Sequence, residues 1–239
     1  MGDPYAELTD LLAPGIDRSR AQHVPFVVAV TGSVAVGKST TAGIVRDALV
    51  DRDPGLRAEV VSSDGFLYPN RVIDGRGLSM RKGFPETYDR DALVAFLTSV
   101  KAGDRDVRVP LYSHEAYDVV DEYHVLAVDD VVVLEGLHLI DLSNAIDFAV
   151  YVDADEADIE RWYVERFLEL CESHTFYQQF AGMPRDETVA FARQVWSSIN
   201  AVNLHEHIQP ARRYADAVLD KGPDHTVRRL WRPRDTMHP

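Results

Sequence analysis

Runs of consecutive apolar residues, rich in valine, recur along the chain. Four of them are FVVAV after Pro25, Ala58–Ser62 (AEVVS), Asp130–Leu134 (DVVVL) and Phe148–Val152 (FAVYV), and a weaker fifth follows at Ala217–Leu219. Continuous β-branched runs between turn residues are typical of strands that are buried on both faces of a parallel sheet. We therefore predict that these runs form one such sheet.

Segments with apolar residues at every third or fourth position lie between these runs. They predict helices at Ser39–Val50, Arg90–Ala102, Glu156–Glu172 and Arg185–Leu204. Strands that alternate with helices predict an α/β fold with a doubly wound, mostly parallel sheet flanked by helices. Because no repeat or linker interrupts the alternation, we predict that residues 1–239 form a single domain.

Two segments fall outside this alternation. Residues 1–23 predict a short helix, Tyr5–Leu12, followed by a loop at Ala13-Pro14-Gly15. Residues 65–87 are rich in glycine, proline, asparagine, arginine and lysine. Since long irregular segments in compact domains are usually lids or binding loops, we predict that residues 65–87 form a lid or a substrate loop.

A phosphate-binding motif follows the first predicted strand. Residues 32–39 have the sequence GSVAVGKS, which matches G-x-x-x-x-G-K-[ST]. Its glycines let backbone N–H groups surround phosphate oxygens, its lysine reaches the outer phosphates, its last hydroxyl ligates Mg²⁺, and the next helix points its N-terminus at the same anion. We predict that the motif binds a nucleotide and, through Ser39, Mg²⁺. The predicted nucleotide contacts are Gly32, Ser33, Val34, Ala35, Val36, Gly37, Lys38, Ser39 and Thr40.

Two acidic residues follow predicted strands at the carboxyl edge of the sheet, where ligands bind in open α/β folds. Asp64 comes after Ala58–Ser62, where a carboxylate can orient an acceptor hydroxyl and take its proton during phosphoryl transfer. Glu135 follows four apolar residues, as do the acids that hold Mg²⁺ or its water in P-loop proteins. Each has a structural alternative, because Ser-Asp-Gly is a common turn sequence and a strand-end acid can simply be solvated.

The net charge of -14 argues against two classes of partner. A general nucleic-acid or membrane-surface binder needs a basic face, so we expect neither nucleic acid nor membrane as a partner. The single cysteine, Cys171, excludes a disulfide within the chain and fits a reducing cytoplasm. No signal-peptide pattern and no apolar run long enough to span a membrane is present in the sequence, so we expect a cytoplasmic protein.

Eight segments together resemble the bacterial type I pantothenate kinases, within the wider phosphoribulokinase and uridine kinase group. They are TGSVAVGKSTTA, SSDGFLYPN, MRKGFPETYD, VPLYSHEAYDVV, VVVLEGL, DFAVYVDA, WYVERF and SSINAVNL. They occur in family order, and DGFLYPN with KGFPETYD is much more specific than the phosphate-binding pattern. The resemblance implies a P-loop kinase fold, ATP as phosphate donor, pantothenate as the small-molecule substrate, and a homodimer.

The resemblance also implies roles for single residues. Asp64 matches the catalytic base, and Lys38 and Arg166 match cations that neutralise charge on the transferring phosphoryl group. His225 matches a residue beside adenine. Positions that match the pantothenate pocket are Tyr112, His114, Tyr163 and Asn200, with Lys82 and Tyr117 as neighbours of that pocket. Taken singly, any of these could instead be a core aromatic, a structural histidine or an ion-paired arginine.

The chain departs from the family at several positions. Its segment before the first strand is shorter. Gly43 replaces an arginine that helps to hold the phosphates of coenzyme A, the usual inhibitor of these enzymes. His138 replaces the asparagine of an EGLN motif, and Phe180 replaces a tyrosine, which we expect to remove a hydroxyl from the pocket wall. These departures concern substrate choice, regulation and assembly, and leave the parts for phosphoryl transfer intact.

Two other functions stay open at this stage. A kinase of a related small alcohol or nucleoside, similar to the uridine kinases, could share the P-loop and differ only in its pocket. A regulatory protein that binds ATP without turnover could share the fold, although the intact Lys38, Ser39 and Asp64 argue against it.

Overall fold

The structure is a computed structural model that describes residues 2–127, 130–140, 142, 145–180 and 182–236. Its strands are β1 (Phe26–Gly32), β2 (Ala58–Ser62), β3 (Val107–Ser113), β4 (Asp118–Leu126), β5 (Val131–Gly136), β6 (Phe148–Ala154), β7 (Ala217–Lys221) and β8 (Val227–Trp231). Its helices are α1 (Pro4–Ala21), α2 (Lys38–Arg52), α3 (Asn70–Gly75), α4 (Arg90–Ala102), α5 (Glu156–Ser173), α6 (Arg185–Val195), α7 (Ala201–Asn203) and α8 (Pro233–Thr236).

Six strands form the main sheet in the order β2-β5-β1-β6-β7-β8. The first five are parallel, and β8 pairs antiparallel with β7. The central strands β1 and β5 are buried along their whole length. Val28 and Val30 of β1 pack in the cluster that contains α1 and α2, whereas Val27 and Ala29 pack in the cluster that contains α4. The predicted doubly wound, mostly parallel sheet is therefore confirmed.

Three strands were not predicted from the sequence. β3 and β4 form a separate antiparallel hairpin, and β8 adds an antiparallel edge. These strands mix apolar residues with exposed charged ones, such as Asp121 and Glu122 of β4, instead of forming solid apolar runs, and Pro110 lies within β3. Proline usually counts against a strand because it cannot donate to the ladder, which explains why the hairpin was missed.

The loop predicted at Ala13-Pro14-Gly15 is wrong, because α1 continues through it to Ala21. Proline in a helix interior removes one backbone hydrogen bond. Here the helix buries one apolar stripe, formed by Leu8, Leu12 and Ile16. A Cβ on Gly15 would lie 2.6 Å from the ring of Phe26. Close packing of α1 against the sheet therefore outweighs the tendency of Pro14 and Gly15 to end the helix.

Residues 65–87 are not irregular, since short helical turns form most of this segment. They are the 3₁₀ turns Ser63–Phe66, Ser79–Arg81 and Pro85–Thr87, with α3 between the first two. The predicted helix Arg185–Leu204 also differs: α6 passes into a π-helical turn at Trp196–Asn200, then α7, and then a second π-helical turn that ends at Ile208. Among the described residues, no helix is both long enough and apolar enough to cross a membrane.

Candidate active site

The loop between β1 and α2 has the backbone geometry that its motif predicts. Gly32 has φ of 150°, and a Cβ there would lie 2.4 Å from the carbonyl oxygen of Val152, so only glycine fits between the two strands. Ala35 and Gly37 also have positive φ, 61° and 84°. The Nζ of Lys38 donates to the carbonyl of Ser33 at 2.9 Å, across the loop that the lysine closes. Successive N–H groups in such a loop can surround an anion.

A second lysine supports this loop from the sheet side. Lys221, the last residue of β7, is 7% exposed, and its Nζ donates to the carbonyl of Val36 at 3.0 Å. Burial, together with the smaller effect of the Lys38 charge, lowers the pKa of Lys221 to about 8. Sequence reasoning missed this residue. The available signal was a lysine directly after the apolar run Ala217–Leu219.

The two acids predicted at the sheet edge lie beside this loop. Glu135 of β5 is 7% exposed and lies in register with Ser62, two residues before Asp64. Burial lowers the pKa of the Lys38 ammonium, while the charges of Glu135 and Asp64 act to raise it. Lys38 therefore interacts electrostatically with both carboxylates.

Gly65 allows the hairpin to approach Asp64. A Cβ on Gly65 would lie 1.9 Å from the carbonyl oxygen of Pro110 in β3. The next residues of the hairpin carry the aromatic side chains Tyr112 and Tyr117, whose rings contact each other edge to face at 6.3 Å. Burial raises the pKa of both phenols, so both remain neutral hydrogen-bonding groups.

These side chains line one cavity of about 270 Å³. The predicted residues at its surface come from the P-loop, from the strand ends, from the hairpin and from the helical side of the protein. They are Val34, Ala35, Lys38, Ser39, Asp64, Lys82, Tyr112, His114, Tyr117, Glu135, Tyr163, Arg166 and Asn200. Residues that sequence reasoning did not select also line it, among them Tyr88, Tyr177 and Asn203.

Six predicted nucleotide contacts do not line the cavity. Gly32, Ser33, Val36 and Gly37 belong to the loop backbone around it, and Thr40 is exposed on the first turn of α2. His225 is exposed in the turn between β7 and β8, and its ring stacks on the buried ring of Trp162 at 4.0 Å. Its predicted place beside adenine stays a prediction.

Lys82 is held in a cage of acceptors and rings. Its Nζ donates to Asn70 Oδ1 at 2.7 Å and to the carbonyl of Tyr117, and it lies 3.9 Å from the centre of the Tyr117 ring. Burial lowers the pKa of Lys82 to about 8, although the carboxylate of Asp118 acts in the opposite direction. Its charge is therefore fully present below pH 7 and is lost as the pH rises through 8.

Tyr163 and Asn200 meet on the helical side of the cavity. Burial raises the pKa of Tyr163 to about 12, and a hydrogen bond with the Asn200 side chain partly offsets this shift. Asn200 ends the π-helical turn Trp196–Asn200. Such turns are frequent at functional sites, because the extra residue changes the direction of a side chain.

The departures at His138 and Phe180 have specific surroundings. The Nε2 of His138 lies 2.8 Å from the carbonyl of Gly83, so this nitrogen carries the proton, and Asn203 Nδ2 donates to the same oxygen at 2.8 Å. Phe180 packs against Phe167 at 5.6 Å and does not line the cavity. The expected loss of a hydroxyl from the pocket wall at Phe180 is therefore wrong, because this ring faces an aromatic cluster.

Comparison with known proteins places the chain in a family. The model of the phosphoribulokinase / uridine kinase family matches residues 27–165. A pantothenate kinase from Cutibacterium acnes is 44% identical over 236 residues, which is 90% of this chain and 72% of that protein. One from Listeria monocytogenes is 42% identical over 229 residues, 90% of this chain and 74% of that protein.

The fold also matches solved structures. A fructose transport system kinase candidate from Silicibacter sp. TM1040 superposes with a TM-score of 0.69 at 27% identity, and the match covers 85% of this chain and 93% of that one. The P-loop geometry, the family model and the identity to the relatives agree. The chain therefore belongs to the phosphoribulokinase / uridine kinase family of P-loop kinases and, within it, to the group of the bacterial pantothenate kinases.

Proposed function

We propose that this protein transfers the γ-phosphate of ATP to pantothenate and forms 4′-phosphopantothenate, the first step of coenzyme A biosynthesis. The observation that carries the proposal is the single cavity at which the P-loop lysine, Asp64 and the predicted acceptor residues meet. The similarity to pantothenate kinases over 90% of the chain supports this acceptor.

The phosphate side binds ATP through the P-loop backbone and Lys38. Ser39 and Glu135 supply a hydroxyl and a carboxylate at the cavity surface, and hard oxygen ligands of this kind fit Mg²⁺, which takes only one or two protein groups in phosphate sites. When bound, Mg²⁺ neutralises charge on the β- and γ-phosphates. The exposed ring of His225, supported by Trp162, lies beside adenine.

Asp64 acts as the base. Its carboxylate accepts the proton of the acceptor hydroxyl while that oxygen bonds to the γ-phosphorus, and the bond from this phosphorus to the bridging oxygen breaks to release ADP. Lys38 and Arg166 both line the cavity, and their positive charges stabilise the charge on the transferring group.

Pantothenate has a carboxylate, an amide and two hydroxyl groups, so it needs several placed donors and acceptors in a partly apolar pocket. Tyr112, His114, Tyr163 and Asn200 supply them, and Lys82 supplies a cation. Residues 65–87 carry Lys82 to the cavity and act as the lid over the acceptor.

The protein works in the cytoplasm as a homodimer. Sedimentation of the purified protein tests the assembly, and a monomer at micromolar concentration would contradict it.

Measurement of ADP release with a panel of acceptors tests the function. Pantothenate should give the highest kcat/KM, and uridine and fructose should be poor acceptors. Rapid turnover of either alternative without turnover of pantothenate would show a kinase of a related alcohol. ATP binding without acceptor-dependent ADP release would show a regulatory protein.

A further inference from the structure

The hydroxyl of Tyr88 lies 3.4 Å from Oδ1 of Asp64. Tyr88 is 7% exposed, and both residues line the cavity. The phenol O–H of Tyr88 donates this hydrogen bond, and the carboxylate oxygen of Asp64 accepts it. The contact therefore joins the proposed base to the tyrosine of the segment KGFPETYD.

The backbone fixes Tyr88 relative to the turn that carries Asp64. Leu67 and Tyr88 form an isolated antiparallel bridge. On one side of it the N–H of Tyr68 donates to the carbonyl of Thr87 at 2.8 Å, and on the other the N–H of Asp89 donates to the carbonyl of Phe66 at 2.7 Å. Asp64 and Tyr88 are therefore held by two short segments that are bonded on both sides of the bridge.

The ring of Tyr88 is buried and has an aromatic neighbour. It packs edge to face against His138 at 5.8 Å. Burial raises the pKa of its phenol well above the ordinary value, and the charges of Asp64 and Glu135 raise it further. Tyr88 is consequently a neutral donor at neutral pH, and it does not compete with Asp64 for the proton of the acceptor.

We propose that Tyr88 is a positioning residue that holds one carboxylate oxygen of Asp64, so that the other oxygen faces the acceptor hydroxyl. The proposal rests on the proposed function, because it assumes that Asp64 is the base. The structural alternative is a tyrosine that only fills the core and satisfies its own hydroxyl at a convenient acceptor. The two differ in what the hydroxyl does for turnover.

Tyr88→Phe tests the proposal, since it removes the hydroxyl and keeps the ring. We expect kcat to fall about 10-fold to 100-fold, the usual effect of losing a hydrogen bond to a charged group. The KM values for ATP and pantothenate should change by less than about 3-fold, because the hydroxyl acts in the transition state. Tyr151→Phe is the matched control, since it removes a buried hydroxyl outside this cavity, and its kcat should be unchanged.

A double-mutant cycle with Asp64→Asn separates positioning from general packing. In the Asp64→Asn background, Tyr88→Phe should lower kcat no further, because the carboxylate that it positions is gone. Equal fold-losses in both backgrounds would overturn the proposal. An inactive Asp64→Asn together with an unchanged Tyr88→Phe would overturn the proposal alone, whereas an Asp64→Asn variant with ordinary turnover would overturn both the base and its positioning residue.

A second pair of variants covers the case in which Tyr88→Phe folds poorly. Tyr88→Gln and Tyr88→Met both remove the ring and introduce side chains of similar volume. Only glutamine offers a hydrogen-bond donor, its amide N–H, in place of the phenol O–H. Higher kcat in the glutamine variant supports the positioning role. Equal kcat in two folded variants, as judged by their melting temperatures, contradicts it.

Discussion

The two sides of the cavity are built in different ways. The phosphate side comes from one continuous stretch, Gly32–Ser39, and from the neighbouring strand end at Glu135. The acceptor side combines Lys82 from a segment of short turns, Tyr112 from a hairpin and Asn200 from a π-helical turn. A local site can be recognised from spacing in the sequence, whereas a dispersed one depends on tertiary packing. The two sides should also respond differently to substitution, with losses in kcat on one side and in KM on the other.

The largest expected effect lies where the two sides meet. Asp64→Asn keeps the size of the side chain and removes the base, so kcat should fall by about 10²-fold to 10⁴-fold. ATP affinity, measured by calorimetry, should change little because the carboxylate faces the acceptor. Asp53→Asn is the control, because it changes a partly exposed acid that accepts a hydrogen bond from Arg20 at 2.7 Å and does not line the cavity. Normal turnover of Asp64→Asn would make Asp64 a turn residue only.

The next effect tests the phosphate side. Lys38→Ala should lower kcat by about 10²-fold or more, since loss of one group that stabilises developing charge typically has this effect. Its ATP affinity should also fall. The control is Lys101→Ala, which breaks a 2.6 Å contact with Asp147 away from the cavity. If Lys38→Ala kept a near-normal kcat, the kinase mechanism on the P-loop would be wrong.

The acceptor side should behave differently. Asn200→Ala removes the partner of Tyr163 and an amide from the cavity wall, which costs about 1–3 kcal/mol when a buried polar group is left unpaired. We expect the KM for pantothenate to rise about 10-fold or more, and the KM for ATP to remain close to its original value. Steady-state kinetics with each substrate varied in turn measures both. Equal increases in the two KM values would show that the sides are not separate.

The difference between the local phosphate side and the dispersed acceptor side also explains how much of the fold and of the site could be predicted from the sequence. The parallel strands and the P-loop were predicted because solid valine runs and the motif G-x-x-x-x-G-K-[ST] are local patterns. The hairpin that carries Tyr112 was missed, since its exposed, charged strands have no solid apolar run. Lys221 and Tyr88 were missed because their roles arise from contacts with Val36 and Asp64 that are distant in sequence. Acceptor residues such as Asn200 were selected only through family resemblance.

A smaller effect should appear as a pH dependence of the acceptor side. Burial lowers the pKa of Lys82 to about 8, so its charge is present below pH 7 and disappears above pH 9. If this cation binds an anionic group of the substrate, kcat/KM for pantothenate should fall about 10-fold per pH unit above 8, because this ratio reports the free enzyme. In Lys82→Arg the fall should disappear, since arginine stays charged. An unchanged profile in that variant would assign the titration to another group.

The smallest effect concerns Gly43, in the interior of α2. A Cβ at this position would meet nothing within 4 Å, and its φ is not positive. Glycine costs about 0.5–1 kcal/mol relative to alanine inside a helix. Gly43→Ala and Gly43→Arg should therefore both raise the free energy of unfolding by roughly this amount, as measured by urea denaturation. Loss of stability in both would contradict the open geometry.

The two Gly43 variants should also differ in their inhibition by coenzyme A. The family resemblance implies that an arginine here helps to hold the phosphates of coenzyme A, and the nearby Arg46 is bonded to Asp47 at 2.7 Å, so its charge is already partly neutralised. Only Gly43→Arg should be inhibited at lower coenzyme A concentrations than the natural protein, because alanine adds no charge and no donor. ATP keeps Lys38 and the loop backbone in all three proteins, so its KM should be similar throughout. Equal inhibition of both variants would show that coenzyme A does not use this turn of the helix, and tight inhibition of the natural protein would show that another cation already replaces the arginine.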